Sequence, residues 1–140
     1  MPPYDGASFD PPAPVARVVL RNREDGTQWV DVPMLIDSGA DVTIIPATAT
    51  QQLGVRPTPN RQYELMGFDG SIRTVPTVEV DLILFGRTYR GQFLLLEQEW
   101  GILGRNILNT LRLVLDGPRL EWGILHKRSQ QESGPPDLDR

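Results

Sequence analysis

The chain of 140 residues has no cysteine and a single histidine, His126. Without cysteine there is no disulfide framework and no thiolate metal site, and one histidine cannot build a histidine cluster. No apolar run approaches the length of a membrane span, and the opening "MPPYDGASFDPPAP" lacks the apolar core of a signal peptide. The expected location is therefore the cytoplasm, with no membrane contact from this chain. The net charge of −4 gives no electrostatic reason to expect nucleic acid or an anionic lipid surface as partner. No internal repeat is present. What the chain does contain is 13 glycines and 13 prolines within an ordinary 39% hydrophobic and 23% charged composition. That mixture favours one domain of short strands and many turns over long helices.

Both ends read as tails: residues 1–14 hold five prolines, and "HKRSQQESGPPDLDR", residues 126–140, is polar with a proline pair. The stretch 15–125 between them reads as an all-β, barrel-like domain. "VARVVLRN" and "WVDVPMLI" are strands joined by a turn at Asp25-Gly26. "PATATQQLG" reads as a short helix with Pro46 in its first turn and Gly54 just past its end. "QYELMGFDGSIRTV" is a hairpin with Gly67-Phe68-Asp69-Gly70 at its tip. In "TVEVDLILF", Val78, Val80, Leu82 and Leu84 share one face, with Thr77, Glu79 and Asp81 on the other. A turn at Gly86-Arg87 leads to the strand "TYRGQFLLL". "WGILGRNILNTLRL" passes through Gly104 into a second short helix, and "LVLDGPRLEWGIL" is a hairpin turning at Asp116-Gly117-Pro118.

Within this pattern "MLIDSGADVTIIP", residues 34–46, places a carboxylate between two apolar runs. Asp-Ser-Gly makes a good turn, because Asp and Ser bond the local backbone and Gly accepts positive φ. Turn residues usually lie between polar flanks, however, and here Met34, Leu35 and Ile36 precede while Val42, Ile44 and Ile45 follow. A carboxylate in such a setting needs hydrogen-bond donors or a second carboxylate with which to share a proton.

The segment "LIDSGADVTIIP" resembles the active-site loop of the retropepsins, the aspartic proteases of retroviruses and their cellular and bacterial relatives. Leu35, Ile36, Asp37, Ser38, Gly39, Ala40 and Thr43 match the pattern. "ILGRN", residues 102–106, supplies its second element, the hairpin at 63–75 stands where the family carries a flap, and "PATATQQLG" resembles the helix that follows the loop in cellular and bacterial members. The resemblance covers roughly residues 15–125. It implies a single-lobe retropepsin-like acid protease barrel with a flap hairpin and two short helices. The implied enzyme is an aspartic endopeptidase needing no cofactor and no metal.

The chain contains one Asp-(Ser/Thr)-Gly only, which is half of a two-carboxylate site; 140 residues are also too few for two fused lobes. The resemblance therefore implies a two-fold homodimer acting on a peptide or protein substrate, with Asp37 of each copy as the catalytic group. By the same resemblance, Ser38 bonds the partner loop and Gly39 lets substrate backbone approach. Ala40, Asp41, Ile44, Trp100 and Ile102 contact substrate, as do Met66, Gly67, Phe68, Asp69 and Gly70 of the flap tip. Thr43, Gly104, Arg105 and Asn106 support the loop, and an Asp41–Arg105 ion pair is expected. Taken singly, Arg105 also reads as a solvated helix-end cation, the flap as a plain surface hairpin, and Ile44, Ile102 and the tryptophans as packing residues. The spacing of Asp37 and Asp41 does not make a calcium loop, and no glycine-rich phosphate loop precedes the Gly104-Arg105 helix start. Two other readings stand beside the protease: a non-catalytic dimerisation or peptide-binding module of the same fold, and the protease domain of a larger precursor.

Overall fold

A computed structural model describes residues 1–67 and 69–125, so Phe68 and the expected tail at 126–140 lie outside the described residues. Six strands form a closed ring, β1 (Val15–Arg21), β2 (Gln28–Ile36), β7 (Gly101–Leu103), β3 (Ile44–Pro46), β6 (Arg87–Leu96) and β5 (Ile72–Leu84), with β5 returning to β1. β4 (Gln62–Met66) pairs only with the first part of β5, so this hairpin projects from the barrel. Helix α1 (Ala49–Leu53) ends at Gly54 with φ 67, and α2 (Arg105–Leu108) follows β7 directly. This is the all-β barrel with a projecting hairpin and two short helices that the sequence leads one to expect.

Alternation along the strands fills the barrel. Val18, Leu20, Val32, Met34, Val78, Val80 and Leu82 are fully buried in one cluster that α1 and α2 cap with Ala49, Leu53 and Ile107. Each such aliphatic side chain contributes about 1.5–3 kcal/mol by leaving water. Two local expectations shift. Pro46 ends β3 rather than opening α1, because its neighbour Ile45 remains paired with Leu95. The β5–β6 turn falls on Phe85-Gly86, one residue earlier than expected, where both residues take positive φ (52 and 76) as a tight two-residue hairpin requires.

Asp81 is the larger departure. Its alternation places it on the outer face of β5, yet it is 1% exposed. Arg21 lies directly opposite on β1 and Arg90 opposite on β6, so the seam that closes the barrel carries a carboxylate between two cations. Arg21 Nη2 donates to Asp81 Oδ2 at 2.9 Å, Arg23 Nε donates to Oδ1 at 3.1 Å, and Arg90 Nε lies 3.6 Å from Oδ1. Burial alone would raise the carboxyl's pKa; the hydrogen bonds from Arg21 and Arg23, with the charge of Arg90, outweigh it and hold the group below the usual range.

The N-terminal stretch is tied down rather than loose. Trp122 N–H donates to the Pro2 carbonyl at 3.0 Å and Tyr4 N–H to the Leu120 carbonyl at 2.7 Å, which lays residues 2–4 along β9 (Glu121–Ile124). Asp5 and Ala13 exchange backbone hydrogen bonds, closing the intervening loop, and Phe9 packs edge-on against Trp100 with ring centroids 4.8 Å apart. Strand β9 pairs on its other side with β8 (Leu113–Asp116) in a small separate sheet.

Asp81→Asn should destabilise the barrel by about 2–3 kcal/mol at pH 6, since it removes the charge that three half-exposed or exposed arginines share. A depressed folded-state pKa adds stability that is present above the unfolded value and lost as pH falls through the folded one. Denaturant unfolding should therefore show the full wild-type advantage at pH 6 and a progressively smaller one as pH falls below the carboxyl's ordinary 3.8.

Candidate active site

Strand β7 lies between β2 and β3, parallel to β2 through Met34–Gly101, Leu35–Ile102 and Ile36–Leu103, and antiparallel to β3 at Ile44–Ile102. The loop joining β2 to β3 must therefore pass over the end of β7, and this loop carries Asp37-Ser38-Gly39-Ala40. Asp37 N–H donates to the Leu103 carbonyl at 3.1 Å, and Arg105 N–H to the Ala40 carbonyl at 2.8 Å, so backbone bonds anchor the loop at both ends.

Thr43 is the internal tie. Its buried hydroxyl accepts from Gly104 N–H at 3.0 Å and donates to Asn106 Oδ1 at 2.7 Å. Gly104 is required here because a Cβ would run into the Val42 carbonyl. Arg105 completes the attachment, with Nη1 donating to the Ser38 carbonyl at 2.8 Å. That bond replaces the expected ion pair: among the described residues no salt bridge joins Arg105 to Asp41, which is exposed. The guanidinium is committed to the loop carbonyl.

The apolar flanks of the loop go into the core, with Met34 and Ile45 fully buried, but its tip rises out of it. Asp37 is half-buried, and Ser38 and Gly39 are exposed. Asp37 Oδ1 accepts from Gly39 N–H at 2.9 Å, the local turn bond that the tripeptide suggests. A Cβ at Gly39 would sit 3.1 Å from that oxygen and crowd the carboxylate. The Ser38 hydroxyl makes no hydrogen bond among the described residues. The carboxylate is thus presented on a rigid loop at the surface of one copy, not enclosed within it.

A second, smaller apolar cluster lies beside the loop. Ile44, Val75 and Leu94 are buried in it, with Val42, Leu65, Leu96 and Ile102 packed around them. It joins the loop and β7 to the inner face of the β4–β5 hairpin, through Leu65 and Val75. Ile44 and Ile102 therefore stand together as the sequence reading groups them. Leu65, Val75 and Val42 were not singled out; Leu65 alternates with Glu64 in β4, whereas Val75 has the parity of Thr77, Glu79 and Asp81, the face of β5 read as outward. The hairpin tip closes with Gly67 N–H bonded to the Ser71 carbonyl at 2.8 Å and Asp69 Oδ1 accepting from Ser71 N–H at 2.9 Å. Met66 is 73% exposed, and Gly67, Asp69 and Gly70 are exposed with it. Trp100 lies outside this cluster, with its ring held by Phe9. Phe68 lies outside the described residues. Among the described residues no group of His, Cys, Asp or Glu could hold a metal ion, and no helix is long and apolar enough to cross a membrane.

The sequence model of a family described as aspartyl protease matches residues 24–107, the span from the first hairpin through Asp37 to α2. No curated protein matches the chain. Among solved structures, the EIAV protease complexed with the inhibitor HBY-793 is similar at 25% identity and a TM-score of 0.49, covering 70% of this chain and 86% of that one.

Thr43→Val should cost about 1–3 kcal/mol, because the buried Gly104 N–H loses its acceptor while side-chain volume is kept. Thr43→Ser retains the hydroxyl and should lose less. Urea unfolding of the two variants tests whether the hydrogen bond, rather than packing, fixes the loop.

Proposed function

The chain belongs to the aspartyl protease family, and on that premise we propose that it hydrolyses peptide bonds as a homodimer in which two Asp37 carboxylates share one site. The observation that carries this reading is the presentation of Asp37. One carboxylate stands on a surface loop that backbone bonds, Thr43 and Arg105 hold rigid, and the chain has a single Asp-Ser-Gly. Alone, such a group is a solvated acid with no means of activating water. Two of them about 3 Å apart repel as like charges, so the working form of the pair is the one in which they share a single proton.

The chemistry follows from that shared proton. The ionised carboxylate takes a proton from water as its oxygen attacks the scissile carbonyl carbon, and the protonated carboxyl gives its proton to the carbonyl oxygen. The resulting tetrahedral diol collapses as the amide nitrogen takes the pair's proton, the C–N bond breaks, and a diol hydroxyl gives its proton to the ionised carboxylate, so the pair again holds one proton. The exposed Ser38 hydroxyl is free to bond the second loop. Gly39 leaves room for an extended backbone over the carboxylates. The apolar cluster of Ile44, Ile102, Val75 and Leu65 offers walls for apolar substrate side chains between loop and hairpin. The hairpin tip, with Met66, Gly67, Asp69 and Gly70, would close over the bound peptide and exclude water. Asp41, exposed and free of Arg105, is available to substrate backbone.

Asp37→Asn should lower the turnover of a peptide substrate by roughly 10³-fold or more while leaving thermal unfolding and association unchanged. Wild-type turnover in that variant, prepared free of other proteases, would end the assignment. For the intact enzyme, rate should fall with the square of concentration once dilution passes below the dimer dissociation constant. A rate that stays proportional to concentration throughout would show that one copy suffices.

A further inference from the structure

Strand β2 leads directly into Asp37, and the ladder with β7 continues that far, since Asp37 N–H donates to the Leu103 carbonyl. Successive residues of a strand face opposite ways, at about 3.3 Å per step. Val32 and Met34 are fully buried in the barrel, so Pro33, Leu35 and Asp37 share the outer face. Leu35 is in register with Ile102 of the satellite apolar cluster, which puts this face on the side of the Asp37 loop and the β4–β5 hairpin. Two residues further out, about 13 Å from Asp37 along the strand, Pro33 lines a cavity of about 160 Å³.

The other walls of this cavity are aromatic. Trp100, which precedes β7, and Phe9 of the N-terminal loop line it with Pro33. The two rings meet edge-on, yet each residue is only half-buried, so both reach the cavity. The loop that brings Phe9 is held at both ends. Asp5 and Ala13 exchange backbone hydrogen bonds, and Asp5 Oδ1 accepts from the N–H groups of Ala7 and Ser8 at 2.9 Å each. The Pro14 carbonyl accepts from Ile36 N–H at 3.1 Å, one residue before Asp37. Residues 5–13 lie outside the span, 24–107, that matches the aspartyl protease family.

A closed apolar space of roughly this volume holds one benzene-sized group. The rest of the lining is charged, with Arg17 beside the carboxylates of Asp5 and Glu99, so an acidic occupant would face two like charges against one guanidinium. An extended peptide advances about 3.3–3.6 Å per residue, so 13 Å corresponds to about four residues. We propose that the cavity takes an aromatic or bulky aliphatic side chain of the substrate, at the third or fourth residue from the scissile bond. Phe9 walls the cavity and acts as a positioning residue for Trp100. This rests on the reading above, that Asp37 cleaves extended peptides, and adds a selective site outside the apolar cluster next to the loop. Part of the selectivity then lies in the N-terminal loop rather than in the barrel.

The test uses the full chain and decapeptides of one apolar central sequence, with Gly, Phe or Glu at the third and fourth residues on either side. At one of these positions kcat/KM should be about tenfold higher for Phe than for Gly, with Glu no better than Gly. Phe9→Ala should shrink that preference to about twofold, mainly through KM, whereas Phe9→Tyr keeps a ring and should retain it. With Asp37→Asn, calorimetric titration of the uncleaved peptides should give the same ranking without any turnover. Equal kcat/KM for all three residues at every outer position, or a loss by one common factor for all peptides in Phe9→Ala, would overturn the cavity's role and leave the protease reading standing. Decapeptides and denatured casein that the wild-type chain leaves uncut would instead remove the reading beneath it. The peptide comparison on the wild-type chain needs no substitution, so it decides the matter even if Phe9→Ala fails to fold.

Discussion

The position of Asp37 depends on one topological constraint, the insertion of β7 between β2 and β3. Two strands that are consecutive in the chain are held apart by a third that arrives almost sixty residues later, and the loop between them has to bridge that third strand. A bridge of this kind has few conformations, because both of its ends are fixed by ladder hydrogen bonds. Gly101 and Gly104 allow it: a side chain at 101 would meet Met34 and the Ile44 carbonyl, and one at 104 would meet Val42. Thr43 then converts close approach into attachment, since its hydroxyl reaches both Gly104 and Asn106. The rigidity that the proposed shared-proton site would need is therefore built from backbone geometry and one hydroxyl, with little help from local turn propensity.

That constraint also separates what was legible in the sequence from what was not. Asp37-Ser-Gly between apolar runs, and Ile-Leu-Gly-Arg-Asn before a helix, are local patterns, and each keeps its meaning without knowledge of the pairing. The alternation of β5 gave its inner face for the same reason. Asp81 could not be read so, because its burial depends on Arg21 and Arg90 standing opposite it in two other strands, one of them sixty residues away. The Asp41–Arg105 pair was expected from resemblance, whereas the guanidinium donates to the Ser38 carbonyl instead, a backbone acceptor that side-chain types do not reveal. The N-terminal stretch misled through composition, since five prolines suggest a linker, whereas Pro2–Tyr4 offer the carbonyl and N–H that an edge strand needs.

The charges divide into two settings with opposite physics. Asp81 is buried and over-supplied with cations, so its ionised form is the stable one and its work is structural. Asp37 is left half-exposed with a single backbone donor, so one copy folds without enclosing an uncompensated carboxylate. Under the proposed two-copy site, the cost of bringing two such groups together falls on association rather than on folding. The seam clamp, by contrast, keeps its charge until pH falls below the ordinary carboxylate range, and its contribution to the barrel is lost there.

The apolar residues are divided in a similar way. The barrel interior is one continuous cluster, while Ile44, Val75 and Leu94 form a second one outside it, between loop and projecting hairpin. A hairpin seated on the main core could move only by opening that core, at a cost near the global stability. Seated on a small satellite cluster, it can lift at a cost set by Leu65 and Val75, at the low end of the local-opening scale. The same residues would be covered again by apolar side chains of an extended peptide, so substrate would close the hairpin by replacing the contacts that its opening lost. In the proposed enzyme, separation of the two clusters would let a stiff barrel carry a movable cover without giving up the fixed position of the carboxylate beneath it.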